Sequence, residues 1–117
     1  MNDRVKGLWT AALRSNDYEQ GKDYLQCDGL FCCLGVLCDL HAKETGISWD
    51  APGFEDDVCY SKYLEAYEFL PDEVIEWAGL ESHNPRVAYN GTQQSLSELN
   101  DDDKPFSLIA DLIEQQL

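Results

Sequence analysis

The run Gly29-Leu30-Phe31-Cys32-Cys33-Leu34-Gly35-Val36-Leu37-Cys38-Asp39-Leu40 is apolar almost without a break for more than two helical turns. Such a stretch is stable only when the rest of the chain encloses it, so it is read as the central core element. Its spacing predicts a helix from about Phe31 to Glu44, with Phe31, Leu34, Leu37, Cys38 and His41 on one side. Gly35 would let a neighbouring element approach closely, and Thr45-Gly46-Ile47 reads as a glycine C-cap. Upstream, Tyr24 to Cys27 reads as a short strand. Asp28-Gly29 fits either a two-residue hairpin turn or a cap on the helix, and the cap is favoured.

The flanking segments supply what must cover this core. Asp3 is placed to cap a first helix in which Val5, Leu8, Trp9, Ala12 and Leu13 form one stripe, stopped by Ser15-Asn16-Asp17 and followed by a polar loop over 16–23. Residues 48–61 show no clean period and read as a long surface loop anchored by aromatics. Tyr60, Tyr63, Leu64 and Tyr67 recur at helical spacing, although 67–70 fits an extended segment equally. Pro71-Asp72-Glu73 opens a helix, with proline in the first turn, two carboxylates at the positive end of the dipole and Val74, Ile75, Trp77, Ala78 and Leu80 as its apolar face. Asn90-Gly91 is the best hairpin signal. Ser95 to Glu98 is a capping box opening a short helix that ends at Asn100. A last helix follows, with Pro105 in its first turn and Phe106, Ile109, Ala110, Leu112 and Ile113 as its stripe. The expected architecture is one α-rich α+β domain over 1–117. About five helices would surround the cysteine-rich one, with a small antiparallel β-hairpin near 86–94. A chain of 117 residues buries roughly two-thirds of its unfolded surface and needs no staple.

Charge bounds the partners. The net charge is −15, from 23 acidic and 8 basic residues, and most of it lies beyond residue 46. Nucleic acid and anionic membranes are disfavoured, and no apolar run approaches the roughly 20 residues that span a bilayer. Five cysteines are an odd number. With no apolar leader before them, the expected setting is a reducing cytoplasm.

Several constellations of side chains bear on chemistry. Cys27, Cys32, Cys33, Cys38 and His41 include zinc-ligand types, but adjacent Cys32 and Cys33 diverge by about 100° on a helix and only Cys38 and His41 have near-ligand spacing. Buried thiols filling the core are the simpler reading. No nucleophile signature surrounds any cysteine, and His41 and His83 have no fixed geometry toward one, so no catalytic residue is assigned and no cofactor or metal is expected. Asn100-Asp101-Asp102-Asp103 fails the calcium-hand template and suits helix capping. The acidic surface itself remains. Asp56, Asp57, Glu65, Glu68, Asp72, Glu73, Glu76, Asp101, Asp102 and Asp103 are the candidate interaction residues, able to mimic a phosphate backbone before a basic groove. A nucleotide-binding protein or small enzyme is the alternative, requiring three or more of Arg4, Lys6, Arg14, Lys22, Lys43 and Arg86 around one cleft. A metal-binding structural protein is the other.

The strings Leu8-Trp9-Thr10-Ala11-Ala12-Leu13-Arg14-Ser15, Gln20-Gly21-Lys22, Phe31 to Leu40, Leu70-Pro71, Trp77-Ala78-Gly79-Leu80, Leu99-Asn100-Asp101 and Phe106 with Ile109 to Glu114 together span nearly the whole chain. In them the sequence resembles a family of small uncharacterised proteins encoded by bacteriophages and prophages. The resemblance implies no reaction and no catalytic residues. It implies a glycine-containing turn after Asn100-Asp101, where this chain has Asp102-Asp103-Lys104. It also implies a small accessory protein in the host cytoplasm that binds a host protein with a basic surface, as an inhibitor of a nucleic-acid-handling or defence factor would.

Overall fold

A computed structural model describes residues 1–55 and 57–117. Among them the chain runs α1 (Asp3–Arg14), β1 (Gln26–Cys27), β2 (Leu30–Phe31), α2 (Cys33–Thr45), β3 (Gly53–Glu55) and β4 (Val58–Ser61). It continues through α3 (Asp72–Ala78), β5 (Arg86–Tyr89), β6 (Thr92–Ser95), α4 (Leu96–Asp101) and α5 (Phe106–Gln116). This is a helix-rich α+β fold with two small antiparallel sheets, one ordered β2-β1-β4-β3 and one a β5-β6 ribbon. No described helix is long and apolar enough to cross a membrane.

The cysteine-rich run does sit at the centre, and more completely than one helical face would require. Every residue from Cys32 to Cys38 is buried, because α2 is covered by α1, α3 and α4 and by the loop leading into β1. The close approach expected at Gly35 is made by Leu25, whose carbonyl oxygen lies 1.8 Å from where a Cβ would stand. The first backbone amides of a helix have no partner within it. Here Cys32 Sγ accepts from Gly35 N at 3.4 Å and the side chain of Asn100 accepts from Cys33 N at 3.1 Å. The indole of Trp9 donates to the Cys33 carbonyl at 3.0 Å and fastens α1 to the same turn.

Asn100, fully buried, holds three segments together. Its Oδ1 also accepts from Gln20 Nε2 at 3.0 Å, and its Nδ2 donates to the Gly21 carbonyl at 2.8 Å. Residues 20–22, the start of α2 and the end of α4 are thereby one polar unit inside an apolar core. No buried side-chain nitrogen or oxygen among the described residues lacks a partner.

Several expectations are corrected. Asp28-Gly29 turns a hairpin instead of capping α2: both residues have positive φ, 53° and 79°, the conformation that a two-residue turn between twisted strands demands. The expected hairpin at Asn90-Gly91 has the same form, with φ of 51° and 80°. Residues 48–61 are not one loop, since β3 and β4 extend the β1-β2 hairpin into a four-stranded sheet. Helical spacing at Tyr60 to Tyr67 misleads: Tyr60 lies within β4, and Tyr63 and Ala66 pair across a tight turn. Helix α1 is capped by Asn2, whose side chain accepts from Val5 N at 3.0 Å, and Leu8 lies 42% exposed while Thr10 joins Val5, Trp9 and Leu13 inside. Pro71 and Pro105 stand at the N-cap positions, one residue before the first turns.

The turn after α4 bears on the departure noted at Asp102-Asp103. Asp103 has φ of 62°, in the left-handed region that glycine occupies without strain. Gln116 completes the β5-β6 ribbon: its amide accepts from Ala88 N at 2.7 Å and donates to Ala88 O at 2.9 Å. That side chain stands in for a neighbouring strand at the β5 edge.

His41 is buried on α2, with Nδ1 2.6 Å from the Tyr63 hydroxyl and its ring edge-on to Trp77. Burial lowers its pKa from the ordinary histidine value. The unfolded chain then takes up a proton more readily, so this contribution is present above about pH 6.5 and is lost as pH falls toward the lower folded value. The melting temperature is expected to drop between about pH 7 and about pH 5.5, and a folded His41→Gln variant should show a flatter profile there. An unchanged profile would remove His41 as the group responsible.

Candidate functional site

Residues 64–70 arch over the surface between two fixed points. Tyr63 is fully buried and bonded to His41, while Leu70 N donates to the His83 carbonyl at 3.0 Å and His83 Nδ1 donates to the Leu70 carbonyl at 2.6 Å. Between them, Tyr63 N and Ala66 N each donate to the other residue's carbonyl at 2.8 and 2.9 Å. The turn so closed holds Leu64 and Glu65 at φ of 49° and 70°. Leu25 N reaches across to the Tyr67 carbonyl at 2.8 Å and ties the arch to the strand side of the molecule.

Anchored at its ends, the arch cannot bury its own middle. Tyr67 and Phe69 are left 46% and 40% exposed. With the start of α3 they line an open groove of about 650 Å³, whose apolar lining includes Leu64, Leu70 and Pro71. Glu65 and Glu68 from the arch and Asp72 and Glu73 from the first turn of α3 line the same groove. Among the described residues no lysine or arginine does, and His83, with Nε2 3.4 Å from Asp72 Oδ1, is the one basic side chain in its lining.

The structure thus separates the ten predicted interaction residues. Glu65, Glu68, Asp72 and Glu73 come together. Glu76 lies on α3 outside the groove lining, Asp57 sits in the turn before β4, and Asp56 lies outside the described residues. Asp101, Asp102 and Asp103 serve the α4 turn: Asp101 accepts from Asp23 N at 3.1 Å, Asp103 pairs with Lys22, and Asp102 lies 3.7 Å from Lys104. What sequence reasoning missed is the apolar part, Leu64, Tyr67 and Phe69. The available signal was the density of aromatic and acidic residues in 60–69 without a polar stop.

The basic residues required for a nucleotide cleft are scattered. Arg4 pairs with Glu44, Arg14 with Asp111 and Glu114, Lys22 with Asp103 and Lys43 with Asp39. Arg86 lines a separate cavity of about 300 Å³ beside Gly79 and Leu117. The thiols are similarly occupied. Burial pushes Cys32 up to about 11 and Cys33 and Cys38 well above the usual thiol value, which keeps them protonated and poor nucleophiles. Cys33 Sγ lies 3.6 Å from the Leu96 carbonyl as a weak donor. Among the described residues no three His, Cys, Asp or Glu side chains gather as a metal-holding group.

Residues 1–117 match throughout a family described as Domain of unknown function (DUF8296). The chain belongs to the DUF8296 family. No curated protein and no solved structure is significantly similar to it. The groove is therefore interpreted from its own chemistry in this DUF8296 chain: an apolar floor open to solvent beneath four carboxylates, with the chain's own guanidinium groups engaged elsewhere.

Proposed function

We propose that this chain is a non-enzymatic binding protein whose acidic groove takes a basic segment of a protein partner. Given the resemblance to phage-encoded proteins, the partner class is a host nucleic-acid-handling or defence factor, whose basic surface the chain would occupy. The observation that carries this reading is the gathering of Glu65, Glu68, Asp72 and Glu73 around one groove with exposed apolar lining and, among the described residues, no lysine or arginine. Clustered like charge over a concave, low-dielectric surface focuses the field and steers a cationic partner, while Tyr67 and Phe69 offer apolar area that a purely solvating acidic surface would not.

The test is affinity capture from a bacterial lysate, comparing the wild-type chain with a folded Glu65→Gln, Glu68→Gln, Asp72→Asn, Glu73→Gln variant. Basic proteins are expected on the wild type at low salt, with binding weakened at least about tenfold by the variant and by raised ionic strength. A captured partner that is retained equally by the variant and at high salt would overturn the reading.

A further inference from the structure

Beside the groove, three tyrosines from separate segments form one cluster. Tyr24 and Tyr60 stack with ring centroids 4.9 Å apart and an interplanar angle of 13°, and Tyr67 leans against them at 6.5 and 6.0 Å. Tyr67 also lines the groove, so cluster and groove are continuous. Across the β3-β4 ladder the residue opposite Tyr60 is Gly53, so no side chain from that position covers the ring. Elsewhere the chain supplies tyrosine faces with its own cations, Lys43 Nζ lying 5.2 Å from the Tyr18 centroid and Lys104 Nζ 5.8 Å from that of Tyr89. Among the described residues none of the three clustered tyrosines has such a cation. Carboxylates stand close by instead: Glu55 Oε2 is 3.5 Å from the Tyr60 hydroxyl. Burial, and then the charge of Glu55, hold the Tyr24 hydroxyl above its usual range, which keeps the ring neutral.

We propose that Tyr24, Tyr60 and Tyr67 form a guanidinium-stacking subsite that takes an arginine of the partner segment while neighbouring residues of that segment lie in the groove. This rests on the binding role proposed above and specifies its ligand. A flat, weakly hydrated cation suits neutral aromatic faces rimmed by carboxylates. An ammonium group meets the same charge without the planar stacking. A nucleobase would meet the aromatic faces, but its phosphates would meet Glu55, Glu65 and Glu68.

The experiment titrates short labelled peptides of identical length, one arginine-rich, one with lysine at each arginine position and one with uncharged citrulline there, into the full chain at low salt. The arginine peptide is expected to bind about two- to fivefold tighter than the lysine peptide, and the citrulline peptide not measurably. In a folded Tyr24→Leu/Tyr60→Leu double variant, and in Tyr67→Leu at its exposed position, arginine and lysine peptides should bind equally while binding stays salt-sensitive. Equal affinity of the wild type for both cationic peptides would overturn the subsite, a comparison that needs no variant to fold. An arginine preference that survives the tyrosine substitutions would overturn it as well. If both peptides bind alike and both are lost in the groove variant, the acidic groove stands and the subsite falls; if neither peptide binds the wild type, both readings fall together.

Discussion

Replacing Gly35 by alanine is expected to destabilise the protein by on the order of 4 kcal/mol, a large part of the 5–15 kcal/mol that holds a domain folded. On an ordinary helix the same exchange helps by about 1 kcal/mol, because alanine has less backbone freedom to lose. At Gly35 the added Cβ would stand 1.8 Å from the carbonyl oxygen of Leu25 and 2.7 Å from its carbonyl carbon, which are backbone atoms with no rotamer to change. Either α2 or the segment entering β1 must move by more than an ångström. That movement would disturb Leu25, fully buried, and its bonds from Cys32 N at 3.3 Å and to the Tyr67 carbonyl. Gly7 supplies the control. It is exposed on α1 with nothing within 4 Å of its Cβ position, so Gly7→Ala should stabilise by about 1 kcal/mol in the same urea titration. Equal effects at the two positions would refute the close approach. Because Leu25 also bonds the arch, any Gly35→Ala protein that remains folded should lose binding in the groove as well.

The second large effect is expected at Asn100. Its removal in Asn100→Ala leaves the Cys33 amide and the Gly21 carbonyl without their partner in a buried site, while Gln20 keeps its bond to the Lys104 carbonyl. At about 1–3 kcal/mol for each unsatisfied buried group, partly relieved by entering water, a loss of about 3–4 kcal/mol in denaturant unfolding is expected. Asn100→Asp separates the two halves of the amide. A carboxylate still accepts from Cys33 N at the positive end of α2, but it can no longer donate to the Gly21 carbonyl and it faces Asp101 Oδ1, now 3.2 Å from Nδ2. The aspartate should therefore recover part of its lost stability when protonated at low pH, whereas the alanine variant should not. A change under about 1 kcal/mol in Asn100→Ala would show that the polar unit contributes little.

These two positions also show how much could be read from the chain. Gly35 was legible as a point of close approach, since a glycine inside a run of core residues has few other uses; its partner was not, because Leu25 meets it through tertiary packing. Asn100 read as the end of a short helix. Its role as acceptor for α2 depends on a contact between residues 67 positions apart, for which local spacing carries no signal. The small sheet was missed for a related reason. Strands of two to four residues bury too little to imprint a period, and β1 is held by pairing on both sides with β2 and β4. Asp28-Gly29 carried the hairpin signal, and Cys32 took the capping role assigned to it.

The acidic groove divides in the same way. By itself the sequence determined the excess of carboxylates, the helix start at Pro71-Asp72-Glu73 and a cysteine-rich core helix, because charge, capping and apolar periodicity are local properties. Only the tertiary structure decided that Glu65 and Glu68 join Asp72 and Glu73 while Asp101 to Asp103 go to a turn, and that Tyr24, Tyr60 and Tyr67 meet. Anchoring at Tyr63 and Leu70 bends the chain between them outward, and the β1-β4 pairing brings Tyr24 and Tyr60 to one place. Both result from long-range contacts, whose geometry exists only once the core around α2 has closed.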